Sequence, residues 1–309
     1  MKRGTRSLAV LGALALSAMG LVPAAWANEA SQSGSAQSGE TGPGLVDTPI
    51  PDIQAVGEGD DSAMAGATVT TLGVVTAAYP ASESGLGATL DGYTIQTPGS
   101  GGTWEPGRTR SDGLFVYAGK KGEIAAPGTC VRVTGTVGEF PATSAKGNPQ
   151  SLTQLAATSV SVVEGCQEPT PIPATRVPTS DEAEALESML LAPQGTWTIT
   201  DNYQTNQYGT LTLTPGESPL RSATDVVAPG QAARDYEAAN AARAIALDDG
   251  TNTNLLKGAA TEVAYAYLAN GSPARVGYHV SFTKPVVLEP RHGSFLFQPT
   301  SMVAGHPDR

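Results

Sequence analysis

Runs of Val, Thr and aromatic residues, each cut off after a few positions by Gly or Pro, constrain this chain more than any other feature. The longest are Thr68 to Tyr79 and Cys130 to Phe140; shorter ones lie at Tyr93 to Thr97, Leu114 to Tyr117 and Ser159 to Glu164. β-Branched and aromatic side chains favour extended backbone, and Gly and Pro supply the turns between. With 36 Gly and 23 Pro among 309 residues, a helical bundle is disfavoured and short strands joined by turns are expected. From Val131 to Val137 apolar and polar positions alternate, so Val131, Val133 and Val137 should face a core and Arg132 should face outward. Such a set of strands predicts a small closed or half-open β-barrel of the oligonucleotide/oligosaccharide-binding kind, with a β-sandwich as the alternative. Lys120 to Thr129 is too short and too broken by Gly and Pro for the helix that such barrels often carry before their fourth strand.

The segment 167–178, with Pro169, Pro171 and Pro173 at alternate positions, is too rich in Pro for a central strand or a helix and marks a boundary after a first domain at 50–166. A second β-rich domain is expected at 179–303, followed by a tail at 304–309. It opens with a helix from Thr179 to Leu191, in which Thr179 and Glu182 have capping-box spacing. Strands follow at Thr196 to Thr200 and Thr210 to Thr214, then a helix at Gln231 to Ala242 and a tight turn at Asn270-Gly271. In Arg275 to Thr283, Val276, Tyr278, Val280 and Phe282 alternate with polar residues, which places His279 on the side away from the core. The expected class is therefore mainly all-β: two tandem small β-barrel-like domains, the first oligonucleotide/oligosaccharide-binding-like, with a few short helices.

The amino terminus carries an address. Lys2, Arg3 and Arg6 precede an apolar run from Leu8 to Val22 and an Ala25-Trp26-Ala27 cleavage site, the pattern of a secretory signal peptide over residues 1–27. The run is shorter than the roughly 20 residues of a membrane span. Residues 28–49 are mostly Ser, Gly, Gln and Glu, a leader too polar to order itself. The expectation is a secreted, extracellular product with no membrane span. In an oxidising compartment Cys130 and Cys166, each at the edge of a strand, predict one disulfide. A nucleophilic Cys would need a His partner, and His279, His292 and His306 all lie far downstream with no metal-ligand spacing. Eighteen Lys and Arg against 29 Asp and Glu give a net charge of -11, which excludes a generic polycation.

A set of phrases in fixed order resembles a known family. They include Thr70-Thr71-Leu72-Gly73-Val74-Val75-Thr76, Gly92-Tyr93-Thr94-Ile95-Gln96-Thr97, Ser111-Asp112-Gly113-Leu114-Phe115-Val116-Tyr117, Ile245-Ala246-Leu247-Asp248-Asp249-Gly250 and Phe295-Leu296-Phe297-Gln298-Pro299-Thr300. Over roughly residues 50 to 303 this order is similar to the amino-terminal, pre-catalytic region of large secreted bacterial nucleases of the endonuclease/exonuclease/phosphatase type. The resemblance implies an oligonucleotide-binding barrel ahead of a metal-dependent phosphodiesterase domain that uses Mg, Mn or Ca. That domain's Gly-Asp-x-Asn and Ser-Asp-His phrases do not occur here; Gly59-Asp60-Asp61-Ser62 and Ser111-Asp112-Gly113 lack the Asn or His. The chain is thus expected to be non-catalytic and to need no cofactor itself. Its expected partners are DNA or RNA, held weakly, and a nuclease catalytic domain in cis or in trans. The alternative is an extracellular or cell-surface interaction module that binds a polysaccharide or a protein.

On a barrel of this kind the ligand face is that of the second and third strands with the adjoining loops. Tyr93 falls there and could stack on a base, as could Phe115 and Tyr117, although packing into the core competes. The Gly-rich loop from Pro98 to Asp112 adds Trp104, Arg108 and Arg110, the ring and cations of a sequence-tolerant single-strand binder, and Arg132 adds an outward cation. Asp248 and Asp249, in Asp248-Asp249-Gly250-Thr251-Asn252, offer oxygen ligands to a cation, but Ala259 stands where an EF-hand loop needs its bidentate Glu.

Overall fold

The structure, a computed structural model, describes residues 46–57, 61–80, 90–140, 151–257, 267, 273–291, 293–301 and 303. The signal peptide, nearly all of the leader, the Asn270-Gly271 turn, His292, His306 and the tail lie outside the described residues.

A short helix, α1 (Ile50–Ile53), precedes five strands: β1 (Thr68–Tyr79), β2 (Gly92–Gln96), β3 (Gly113–Tyr117), β4 (Cys130–Phe140) and β5 (Leu152–Val162). They close into a barrel in the order β1-β2-β3-β5-β4. Closure depends on β1, whose first half pairs with β4 and whose second half pairs with β2 across a register shift between Val75 and Ala77. Such a bulge sharpens the bend a small barrel needs. The pairing of β3 with β5 is parallel and completes the ring. Val131, Val133 and Val137 point inward as their alternation requires, joined by Tyr93, Ile95, Leu114 and Val116, while Ile50 and Ile53 of α1 pack into the same core. Residues 118–129 form turns and no helix. Cys130 and Cys166 are bonded, with Cα atoms 5.9 Å apart, which ties the start of β4 to the segment after β5.

The fifth strand begins at Leu152, well before Ser159, because Leu152 and Leu155 are buried and residues 154–156 pair with β3. Leu-Thr-Gln-Leu-Ala-Ala carries no period-two signal, so tertiary pairing decides.

The second region is an eight-stranded sheet. Its strands are β6 (Ile172–Ala174), β7 (Leu190–Pro193), β8 (Trp197–Asp201), β9 (Leu211–Pro215), β10 (Ile245–Leu247), β11 (His279–Val280), β12 (Val286–Arg291) and β13 (Ser294–Pro299), and their order is β11-β8-β9-β10-β13-β12-β7-β6. Helices α2 (Ser180–Glu184), α3 (Thr205–Tyr208) and α4 (Gln231–Ala241) lie between strands. Inward residues from strands across this sheet meet in one core around Trp197, whose ring makes edge contacts with Phe297 at 5.5 Å and Phe282 at 6.1 Å.

Strand β6 sits inside the Pro-rich segment, and it is an edge strand, the place where the missing N–H of Pro173 is tolerated. Helix α2 stops at Glu184, not Leu191. Its start is as expected, with Glu182 Oε2 accepting from the Thr179 N–H at 2.9 Å. Beyond it Ser188 adopts a left-handed φ of 57° and its N–H donates to the Leu288 carbonyl at 2.6 Å, which diverts the chain into β7. Of the strand expected over Arg275 to Thr283, only His279 and Val280 pair, at the sheet edge. Val280 and Phe282 reach the core, Val276 and Tyr278 stay exposed, and His279 is exposed as the alternation implied.

Barrel and sheet are joined face to face. Ala77, Tyr79, Leu90, Phe115 and Leu152 from the barrel side form one buried cluster with Leu190 and Val287 of the sheet. Gly113 passes so close to Ser188 that a Cβ on it would lie 2.3 Å from the Ser188 carbonyl. Around this seam Gln54 Nε2 donates to the Gly113 carbonyl at 2.7 Å and to Glu187 Oε1 at 3.2 Å, and the Leu190 N–H donates to Gln96 Oε1 at 3.0 Å. Burial pushes the Glu187 carboxyl well above the usual carboxylate range.

Candidate functional site

Alternation on β2 and β3 sends Tyr93, Ile95, Leu114 and Val116 into the barrel and Thr94, Gln96, Phe115 and Tyr117 outward. The outward set is where a ligand would lie on such a barrel. Here the chain's own sheet occupies it. Thr94 and Gln96 are fully buried, Phe115 is buried under the Arg291 guanidinium at 5.3 Å, and of the four only Tyr117 is exposed. Tyr93 has 0% exposure, so no base can reach its ring; it takes the core-packing alternative. Its hydroxyl has no partner among the described residues, and burial raises its pKa to about 12.

The other sequence candidates are satisfied within the chain. Trp104 is half-buried against the core of the sheet, with the Arg176 guanidinium 4.6 Å from its ring centre. Arg108 is largely buried and pairs with Asp112 at 2.6 Å and Glu105 at 2.9 Å. Arg110 pairs with Asp52 at 2.9 Å, and Arg132 makes a two-pronged pair with Asp47 at 2.8 and 2.9 Å. Arg132 does face outward. Each of Arg108, Arg110 and Arg132 already has a carboxylate, which a phosphate would have to displace.

Asp248 and Asp249 belong to a more developed arrangement. On β10, β12 and β13, Leu247, Leu288 and Phe297 point into the Trp197 core, so Ala246, Asp248, Glu289, Arg291, Leu296 and Gln298 fall on the opposite face. There a groove of about 400 Å³ is lined by Tyr208, Thr210, Asp248, Asn252, Arg291 and Ser294, among others. Asp248 accepts from Thr210 Oγ1 at 3.1 Å and from Gln298 Nε2 at 2.8 Å. Glu289, fully buried, accepts from Arg291 Nε at 2.9 Å. Arg291 is 6% exposed, and its Nη2 has no hydrogen-bond partner among the described residues. Burial raises the pKa values of Asp248 and Glu289. Asp249 is pushed up to about 7, by burial first and by the neighbouring Asp248 second, while its Oδ1 accepts the Thr251 N–H at 2.9 Å. Buried carboxyls with shifted titration beside a concave surface are what binding and catalytic sites have in common. Among the described residues no group of three His, Cys, Asp or Glu is placed to hold a metal ion; Asp248 accepts from Thr210 and Gln298, and Asp249 from the Thr251 N–H.

Sequence reasoning missed Arg291, Glu289, Gln298 and Tyr208. A signal existed for two of them: Glu289 and Arg291 are opposite charges two apart in a strand that otherwise reads Val286-Val287-Leu288, so they share one face of a buried element. Comparison with protein-family models, with curated proteins and with solved structures finds no match to this chain.

Proposed function

We propose that this chain is an extracellular binding module that takes its ligand on the face of the eight-stranded sheet opposite the Trp197 core, beside the seam with the barrel, which serves as a rigid mount. The observation that carries this reading is the burial of the β2–β3 face beneath the sheet, next to an open groove on that sheet. Arg108, Arg110 and Arg132 bound to carboxylates weigh against nucleic acid as the ligand, and the acidic net charge of -11 weighs the same way. Labelled single-stranded DNA in a fluorescence-anisotropy salt series, run beside a screen of immobilised glycans, tests it. The expected result is retention by a glycan and no DNA binding at low salt. DNA binding with a steep salt dependence would refute it.

A second reading rests on the closed five-stranded barrel β1-β2-β3-β5-β4, the kind of barrel that the resemblance to the pre-catalytic region of secreted nucleases implies. In that setting the module raises the concentration of polymer near a tethered metal-dependent phosphodiesterase domain. Purified chain should then leave plasmid DNA intact with Mg²⁺, Mn²⁺ or Ca²⁺; nicking would overturn a non-catalytic role.

A further inference from the structure

The composition of the groove narrows what it can hold. Its volume, about 400 Å³, is that of a small-ligand site. Its walls mix an acceptor, Asp248, a donor, Arg291, and side chains that do both, Thr210, Asn252 and Ser294, with the ring of Tyr208 at the rim. An apolar ligand would cover Asp248 and Arg291 and return no hydrogen bond to either. A phosphate would meet the Asp248 carboxyl beside a single cation whose Nε is already committed to Glu289. A ring bearing several hydroxyls fits, because adjacent hydroxyls donate to one wall and accept from the other while carrying no charge.

We infer that the groove binds a neutral sugar unit of a polysaccharide. Asp248 accepts from ring hydroxyls, Arg291 and Asn252 donate to them, and Tyr208, 40% exposed, covers the apolar face of the ring. This inference rests on the reading of the chain as a binding module and adds the ligand class and the residues that recognise it.

The test is affinity electrophoresis of the full chain in gels cast with neutral polysaccharides (β-glucan, mannan, xylan, dextran) and, separately, anionic ones (alginate, polygalacturonate). Tyr208→Ala and Asn252→Ala carry the test, because both change groove-lining side chains without removing a member of the buried ion pair; circular dichroism confirms that each is folded. Arg132→Ala, on the barrel, is the control. The expected result is retardation by at least one neutral polymer, weakened about tenfold or more by either groove variant and unchanged by the control. No retardation by any neutral polymer overturns the inference and the module reading together if protein partners are also absent from a cross-linking screen. Retardation that survives both groove variants overturns the site and leaves the module reading standing. Retardation by anionic polymers alone overturns the ligand class.

Discussion

Replacing Asp249 by Asn should change how stability depends on pH more than it changes stability itself. The Asp249 carboxyl is buried beside Asp248 and titrates at about 7 in the folded chain, against 3.8 for a free side chain. A carboxyl whose pKa is raised by folding holds its proton in the native state while the unfolded chain has released it. Stability is therefore greatest below the unfolded value, falls between about pH 4 and pH 7, and is flat above. A displacement of about 3 units at 1.36 kcal/mol each amounts to about 4 kcal/mol over that window. Asn keeps an oxygen for the Thr251 N–H, which Asp249 Oδ1 accepts at 2.9 Å, and removes the charge. Urea denaturation at pH 4.5, 6 and 8 is the assay. The wild type should lose several kcal/mol across the series, and Asp249→Asn should lose clearly less, so that the variant is the more stable protein at pH 8. Asp248, Glu289 and Glu187 are raised by burial too, so some slope persists in the variant. Equal slopes in the two proteins, or a wild type that gains stability towards pH 8, would refute the assignment of Asp249 as a group kept protonated by burial.

Three further outcomes follow from packing and chain constraint. Converting Cys130 and Cys166 together to Ala removes a link across 36 positions and should cost about 4 kcal/mol, measured by denaturant unfolding with and without reductant on the wild type. Gly113→Ala puts a Cβ 2.3 Å from the Ser188 carbonyl and should destabilise by about 1–3 kcal/mol or more, with limited proteolysis revealing a loosened seam; a neutral result would mean the seam is not tightly packed. Tyr93→Phe deletes a buried hydroxyl that has no partner among the described residues and should be neutral or stabilising by up to about 1 kcal/mol in thermal unfolding, whereas a loss above about 1 kcal/mol would reveal a partner for that hydroxyl.

The barrel was legible because its strands announce themselves locally. Val131 to Val137 alternates and has the faces it predicts, and Thr68 to Tyr79 and Cys130 to Phe140 are strands over the same residues. The sheet was less legible: β6, β7 and β10 are three or four residues long, and β12 is an apolar run without alternation through Leu288. Short strands are stabilised by neighbours distant in sequence, as when Val286 and Val287 pair with Leu191 and Leu190. The groove was half legible. Asp248 and Asp249 stood out as paired acids, but their companion Arg291 comes from a strand more than 40 positions away, joined only through the pairing of β10, β13 and β12. The long-range charge pairs were invisible for the same reason: Arg110 of the loop finds Asp52, and Arg132 of β4 finds Asp47, only after the barrel closes.

The apolar seam beneath Phe115 sets a practical boundary on dissecting this protein. Severing the chain in the Pro-rich stretch at 167–171, where the sequence invites a cut, would leave one fragment with Tyr79, Phe115 and Leu152 bared and the other with Leu190 and Val287 bared. Each would carry a sticky surface made for the other, so fragments expressed separately should aggregate, and mixing them during refolding should rescue solubility. The segment read from the sequence as a domain boundary would then act as a strap across two halves that mature together.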